Sequence, residues 1–472
     1  MNMLSKSRRR FLKNSIFAGM AMGTTGLVKS SAQETSQTEG IPKGTPPRQG
    51  KTVMGLRCPP LPTVRIGAIG LNCGGQAVYR LSRIEGARIV AISDLLPERI
   101  EASQKTLKDA GHPDVITYSG EEDWKKICER DDIDLIYNAT PWDLHVPIAL
   151  YAMEHGKHVT VAVPAALTVN DCWRLVDTAE KTQRHCMMLE NCCYDFFELT
   201  TLNMARNDIF GEIYYSECAY IHDLRAYGFA QNKRFPQLKQ WWLEHLMKHT
   251  GNPYPTHGLG PMAQIMGINR GDRFDYLTSM STDQFGFSLY AEKTFGKESP
   301  EAKNTYKRGD MNTTMIRTVK GHTIVLQYDT TSPRPYDRIH KISGTKGYAV
   351  KYPEEKIALE PKAHEFLKPE EFQQLMTKYE HPLSKFIGEK AKAVGGHGGM
   401  DYIMDWRLIY CLRNGLPLDQ DVYDAAAWSC LVELTERSVL NRSSAVDVPD
   451  FTRGEWKNAK PLPVIDMVNV FS

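Results

Sequence analysis

A doubly wound parallel α/β sheet, followed by an α+β domain with a largely antiparallel open sheet, is the fold class this sequence predicts. Three observations carry it. A strand, a small-residue turn and a helix follow one another over residues 64–83. Short apolar strands then alternate with helical patterns as far as residue 193, as in a parallel sheet covered on both faces. From residue 194 the strands lengthen and lose their crossover helices, which implies antiparallel pairing and one face open to a ligand.

Before the first strand, Ser7-Arg-Arg-Arg-Phe-Leu-Lys13, the weakly apolar stretch 16–28 and Ser30-Ser-Ala32 read as a twin-arginine export signal over residues 1–32. The apolar stretch is short and rich in Gly and Thr against the ~20 residues that a span requires, so no membrane anchor is expected. The expected destination is periplasmic or secreted. Residues 33–60, dominated by Gln, Thr, Ser, Gly and Pro, read as a linker.

The run Val64-Arg-Ile-Gly-Ala-Ile69 is a buried strand, Gly70 makes the turn, and Gly75 permits close helix–strand packing. Amides at the new helix N-terminus would face a pyrophosphate. The middle position of the G-x-G-x-x-G pattern is Asn72, asparagine being the residue that best tolerates left-handed geometry after glycine. A second strand over 88–93 ends at Asp94, where an acid would bond a ribose diol and repel a 2′-phosphate, so NAD is favoured over NADP. Strands over 132–138, 158–163 and 186–190 and helices over 98–110, 142–155 and 170–183 complete a Rossmann domain over 61–193. Ligands of such sheets lie beyond the carboxyl ends of the strands, which assigns Thr140-Pro-Trp-Asp-Leu-His145, Ala162-Val-Pro164 and Asn191-Cys-Cys-Tyr194 to the cofactor crevice.

The second domain, 194–472, opens with a long strand over 212–222 and continues with strands over 313–319, 323–330 and 338–343. Helices over 400–413 and 422–440 are expected to pack back on the body, the second from an acidic start at Asp421. With 58 basic and 56 acidic residues and no block of like charge beyond the signal, nucleic acid and membrane surfaces are not expected partners. Ten cysteines without C-x-x-C or a Cys/His ligand spacing point to buried thiols and no metal.

Several segments together resemble a known family: Ala139-Thr-Pro-Trp-Asp-Leu-His145, Met187-Met-Leu-Glu-Asn-Cys-Cys-Tyr194, Gly251-Asn-Pro-Tyr-Pro-Thr-His-Gly-Leu-Gly-Pro261, Gly309-Asp-Met-Asn-Thr-Thr314, Thr331-Ser-Pro-Arg-Pro-Tyr336, Gly344-Thr-Lys-Gly347 and Gly396-His-Gly-Gly-Met-Asp401. The chain is similar to the glucose–fructose oxidoreductase and inositol dehydrogenase superfamily. Within that superfamily it is much closer to glycoside hydrolase family 109, the NAD-dependent α-N-acetylgalactosaminidases, over about residues 60–445.

The resemblance implies hydrolysis of terminal α-linked N-acetylgalactosamine by C3 oxidation, removal of the C2 proton, elimination, water addition and re-reduction. That route lies outside the usual carboxylate pair. It implies Tyr220 as the C2 base, with His222 on the same strand face, and His257 at the C3 hydroxyl. A phenol with pKa near ~10 would need tuning downward for that work. Tyr254, Pro255, Thr256, Tyr336 and the position of Trp242 are implied to touch the sugar, Tyr254 also the nicotinamide. Asn72 and Cys73 would lie under the pyrophosphate, Trp142, Asp143, Leu144 and His145 along the crevice, and Asn191 near the nicotinamide.

Two positions depart from the family pattern. Ala162-Val163 stands where members have Glu-Val, and Trp242 where they have an arginine. Another amino sugar or linkage therefore stays open as the substrate. A sugar dehydrogenase is the other alternative, but Val163 stands where such enzymes carry a proton-transferring lysine. By analogy with the superfamily, a homo-oligomer is expected.

Overall fold

The computed structural model describes residues 45–229 and 239–464, so the expected export signal lies outside the described residues. Six strands form the first sheet: β1 Val64–Ile69, β2 Ala87–Ser93, β3 Ile116–Tyr118, β4 Leu135–Asn138, β5 His158–Val161 and β6 Cys186–Met188. All pair in parallel in the order β3-β2-β1-β4-β5-β6. The order reverses between β1 and β4, and the crevice beyond their carboxyl ends is the place where such sheets bind ligands. Helices cover both faces, so β4 and β5 are buried at every residue rather than at alternate ones.

The second sheet has eight strands: β7 Ile213–Ile221, β8 Phe274–Ser281, β9 Asn312–Thr318, β10 Thr323–Asp329, β11 Lys341–Gly344, β12 Gly347–Val350, β13 Lys356–Leu359 and β14 Val446–Asp447. Their order is β13-β12-β11-β7-β10-β9-β8-β14. Every pair is antiparallel except β7 with β10. Burial alternates along β9, and Tyr276, Met280 and Met315 are exposed. One face of this sheet thus packs on helices while the other stays open.

The helix expected over 422–440 is two helices, Val422–Ser429 and Leu431–Leu440. The pieces serve different partners: Ser429 Oγ accepts the Ala165 amide of the first domain, and Ser438 Oγ accepts the Ser279 amide of β8. Helices Lys239–Lys248, Gly286–Phe295, Pro369–Lys378 and Pro382–Val394 have no counterpart in the sequence reading. Residues 45–60 lie along the body, with Val53 buried and the Lys51 amide bonded to Glu180 O. All ten cysteines are free thiols, buried except Cys58 and Cys73.

Candidate active site

Tyr220 and His222 lie two apart near the end of β7 and share its face, their ring centroids 4.8 Å apart. The parallel partner β10 sets Tyr328 beside Tyr220, the rings stacked in nearly parallel planes at 6.4 Å. Helix Thr256–Ile265 comes down on this strand because two of its residues lack a side chain. A Cβ on Gly258 would stand 2.6 Å from the backbone N and O of Ala219, and one on Gly260 would stand 2.7 Å from Glu190 Cγ. That close approach brings His257 within 5.2 Å and Tyr254 within 5.0 Å of the Tyr220 ring. Tyr336 closes the group, 6.2 Å from Tyr220 and 5.2 Å from His222. Five rings from three segments thus surround one space, with Pro255 and buried Thr256 at the start of the helix.

Burial governs the proton chemistry of these rings. It pushes the Tyr220 and Tyr254 phenols up, with neighbouring Tyr328, Cys192 and Glu190 adding to the effect at Tyr220. The downward tuning expected of Tyr220 is not supplied by these surroundings. His222 is lowered to about 4 by burial and then by His257, so it is neutral near pH 7. Its Nε2 is buried without a partner among the described residues, as is Nδ2 of Asn252. On the His222 ring that nitrogen is left for a polar ligand or a water.

Glu190, which sequence reasoning assigned no role, accepts from His257 Nδ1 at 2.8 Å. Burial alone would raise its carboxyl. The charge that His257 carries when protonated, its hydrogen bond, the Thr256 hydroxyl and the Cys192 amide hold it below its ordinary value instead.

At the first sheet's crevice, Gly70 has φ +84°, and a Cβ there would meet the Ala139 and Thr140 backbone at 2.7–2.8 Å. Helix Leu71–Leu81 follows with no side-chain cap and no acid in its first turn, so its N-terminal end, with Asn72, Cys73 and Gly75, stays open to an anion. Asp94 accepts the Leu71 amide at 2.7 Å and the Leu96 amide at 3.0 Å, with Arg99 beside it. Arg99 Nη1 also donates to both of its oxygens, at 3.3 and 3.4 Å, so a ribose diol would take the place of these long contacts.

Trp142, Asp143, Leu144 and His145 form the first turn of helix Trp142–Glu154. Trp142 donates to Val163 O at 3.3 Å and stacks on Tyr254 at 6.2 Å, linking crevice and rings. His145 sits between Pro164 O and Thr140 O, each at 2.8 Å; burial lowers it and so favours the neutral ring, which donates to one of the two. The Ala162 amide is taken by Asn138 O, and its methyl offers no polar group. Asn191 Nδ2 donates to Asp401 Oδ1 at 2.5 Å. Asp401, held at about 2 against its burial by His397, Arg80 and Asn191, comes from the Gly396-His-Gly-Gly-Met-Asp401 segment.

Trp242 is not in this group. It packs edge-on against Phe287 in a satellite cluster with Phe229 and Tyr306. Its neighbour Trp241 instead meets Trp142 at 4.6 Å, with His245 at 5.1 Å. Glu190, Arg80, Trp241, His397 and Asp401 were therefore missed. The signal for the last two is the G-H-G-G-x-D segment itself, which pairs a histidine and an acid in a glycine-rich turn.

Among the described residues, donor atoms of Cys58, His158 and His185 converge within 4.8 Å. The His185 amide donates to His158 Nδ1 at 3.1 Å, which fixes the proton of that neutral ring on Nε2 and opposes ligation of a cation.

A helix N-terminus whose cap residue offers no side chain, a turn that only glycine can make and an acid at the end of β2 fit a dinucleotide in this crevice. Residues 64–190 match the model of the oxidoreductase family with an NAD-binding Rossmann fold. Residues 194–458 match that of the glycosyl hydrolase 109 C-terminal domain. An alpha-N-acetylgalactosaminidase of Bacteroides fragilis is 54% identical over 406 residues, 86% of this chain and 96% of the relative. A glycosyl hydrolase family 109 protein 2 of Phocaeicola vulgatus is also 54% identical, over 86% and 98% of the two chains.

Among solved structures, levoglucosan dehydrogenase in complex with NADH and L-sorbose matches with TM-score 0.61 at 19% identity, over 83% of this chain and all of that one. The scyllo-inositol dehydrogenase of Lactobacillus casei with bound NAD(H) and scyllo-inositol matches with TM-score 0.56 at 14% identity, over 82% and 99%. These two share the fold. With both of its domains matched and relatives of this identity over most of its length, the chain belongs to glycosyl hydrolase family 109, a glycoside hydrolase with NAD as its cofactor.

Proposed function

We propose that this hydrolase removes terminal α-linked N-acetylgalactosamine from glycans by transient oxidation of the sugar. The observation that carries the reading is the convergence of Tyr220, His222, Tyr254, His257 and Tyr336 on one space beside the dinucleotide crevice. The 54% identical relative named alpha-N-acetylgalactosaminidase supports the choice of sugar. When bound, NAD supplies a reversible hydride acceptor for C3, and a ketone there acidifies the C2 proton so that the C1 substituent can leave.

The chain's own residues supply proton transfer and shape. His257 takes the C3 hydroxyl proton at Nε2, the ring nitrogen that Glu190 does not hold. Tyr220 and His222 face C2. Of the two, His222 is unprotonated at neutral pH, while the buried phenol keeps its proton. Tyr254 and Tyr336 wall the sugar, and the aromatic group formed by Trp142 and Trp241 continues the wall outward.

The twin-arginine pattern of residues 1–32 supports export to the periplasm or beyond. A cofactor carried out with the folded chain and restored in each turnover suits that compartment. No helix among the described residues is long and apolar enough to cross a membrane. The exposed Tyr276, Met280 and Met315 on the open sheet face support a homo-oligomer formed there.

The test is release of 4-nitrophenol from its α-N-acetylgalactosaminide in D₂O, without added NAD, followed by mass analysis of the free sugar. Release with deuterium at C2 is expected. Release without it would replace the mechanism, and NADH accumulating on a free sugar would make the protein a dehydrogenase.

A further inference from the structure

Glu190 follows β6 with its side chain fully buried, and in the transfers above it neither gives nor takes a proton. Its Oε1 lies 2.8 Å from His257 Nδ1 and also accepts the Cys192 amide at 3.1 Å. Gln420 Nε2 holds its backbone carbonyl at 3.0 Å, and only a glycine at 260 leaves its Cγ this place, since a Cβ there would stand 2.7 Å away. An ionised carboxylate only accepts, so the proton between the two groups belongs to Nδ1. In its unprotonated form His257 then has its lone pair on Nε2, which has no hydrogen-bond partner among the described residues and sits on a ring 5.2 Å from Tyr220 and 4.8 Å from Tyr254.

We propose that Glu190 is a positioning residue: it holds His257 in the Nδ1-protonated tautomer so that Nε2 meets the sugar's C3 hydroxyl as a base. The inference rests on the glycosidase reading above. The step balances simply. The hydroxyl O–H bond breaks, an N–H bond forms at Nε2, and the imidazolium carries a proton on each nitrogen while Glu190 stays ionised. On re-reduction the same proton returns to the C3 oxygen. Glu190 and His257 together go from one negative charge to none, so the buried carboxylate is better compensated when the proton arrives. A glutamine keeps the shape of the side chain but cannot match that charge.

The experiment compares wild type, E190Q and H257N, each purified with its bound NAD and carrying ¹⁵N-histidine. The resonances lost in H257N identify His257. In wild type they should report a protonated Nδ1 and a bare Nε2. E190Q, whose amide oxygen still accepts, should keep that form, and a further variant E190L, which has no acceptor, should lose the preference. E190Q should keep its NAD content and a KM within about threefold of wild type, while kcat for the 4-nitrophenyl glycoside falls at least ~100-fold. A wild-type His257 protonated on Nε2, or an E190Q enzyme with kcat within about threefold of wild type, overturns the proposal. If wild type turns over with deuterium at C2 and E190Q matches it, Glu190's role falls and the glycosidase reading stands. If wild type releases no 4-nitrophenol, that reading falls, and the nitrogen shifts alone decide whether Glu190 sets the tautomer.

Discussion

Asn191 donates to Asp401 across 2.5 Å and so ties the segment after β6 to the start of helix Met400–Asn414. Asp401 also meets His397 at 2.9 Å and Arg80 at 3.5 Å, and Arg80 reaches on to Asp405 at 2.7 Å. The amide expected at the nicotinamide is therefore aimed by a carboxylate from the far end of the chain. D401N removes the charge that Arg80 and His397 share while Arg80 keeps Asp405. Cofactor retained through gel filtration, read as nucleotide released per chain, should fall, with a stability loss of about 1–3 kcal/mol. Unchanged retention would mean that Asn191 needs no such anchor.

Gly258 and Gly260 set how closely helix Thr256–Ile265 approaches, and they differ in what an added methyl would strike. At Gly258 it meets the rigid backbone of β7 at 2.6 Å. At Gly260 it meets Glu190 Cγ at 2.7 Å, with Cys193 Sγ and Trp428 at 3.1 Å. G258A should lower stability by at least ~2 kcal/mol, as overpacking does. G260A should fold and yet lose most of its kcat, because the group displaced first is the carboxylate holding His257. Denaturant midpoints and steady-state kinetics on both variants separate the two effects.

The contrast shows which parts of the site a sequence can carry. The first sheet was legible because helices on both faces make its strands continuous apolar runs, and because the turn at Gly70 admits no other residue at φ +84°. Tyr220 and His222 share a face by the period of a strand alone. The bond from Glu190 to His257 joins residues 67 apart and exists only because Gly260 lets a helix descend onto the loop after β6. Nothing local announces such a contact. Trp241 and Trp242 are adjacent on one helix, so their directions depend on which side of it the satellite cluster with Phe287 occupies.

Acid should weaken the fold through buried neutral histidines. Burial lowers His158 to about 3, with His185 and Arg184 adding to the effect, against an ordinary value of 6.5. Between those values the unfolded chain binds a proton that the folded chain refuses. The stabilisation is complete above about pH 6.5 and is lost as pH falls toward the folded value, at ~1.4 kcal/mol per pH unit. H158N offers Oδ1 to the His185 amide in place of Nδ1 and does not titrate. Urea midpoints from pH 6.5 to 4.5 should fall less steeply in H158N than in wild type by about that slope. Parallel curves would show that His158 is protonated in the native state.

Behind Tyr336, two cations and two anions are buried together. Arg338 pairs with Asp195 and with Glu198 at 2.8 Å, and Lys351 pairs with both at 2.7 Å. The charges balance, so removing one does more harm than the pairs do good. R338M leaves Asp195 and Glu198 to Lys351 alone and should cost about 3–5 kcal/mol in chemical denaturation. An R338M/E198Q double variant, which restores the balance, should recover part of that loss. No recovery would mean that the packing of Arg338 against Tyr336 and Tyr352, rather than its charge, holds this corner.

The two tryptophans of helix Lys239–Lys248 offer the sharpest separation of binding from folding. Trp241 sits 4.6 Å from Trp142, which stacks on Tyr254, so it extends the ring cluster outward from the sugar. Trp242 fills the satellite cluster, its ring edge-on to Phe287 and so near Gly228 that a Cβ there would lie 2.6 Å from it. W241A should therefore raise KM for the glycoside by about 10-fold or more, in line with 0.5–1.5 kcal/mol for an aromatic contact plus the area it buries, with little change in melting temperature. W242A should do the reverse, lowering the melting temperature by opening a cavity worth about 3 kcal/mol or more and leaving KM nearly untouched. If W242A instead raises KM at constant stability, its indole turns into the sugar pocket, at the position where relatives of this family were expected to hold an arginine. The wall of the pocket would then have to be redrawn around an indole in place of a guanidinium, with stacking on the sugar replacing a charged hydrogen bond.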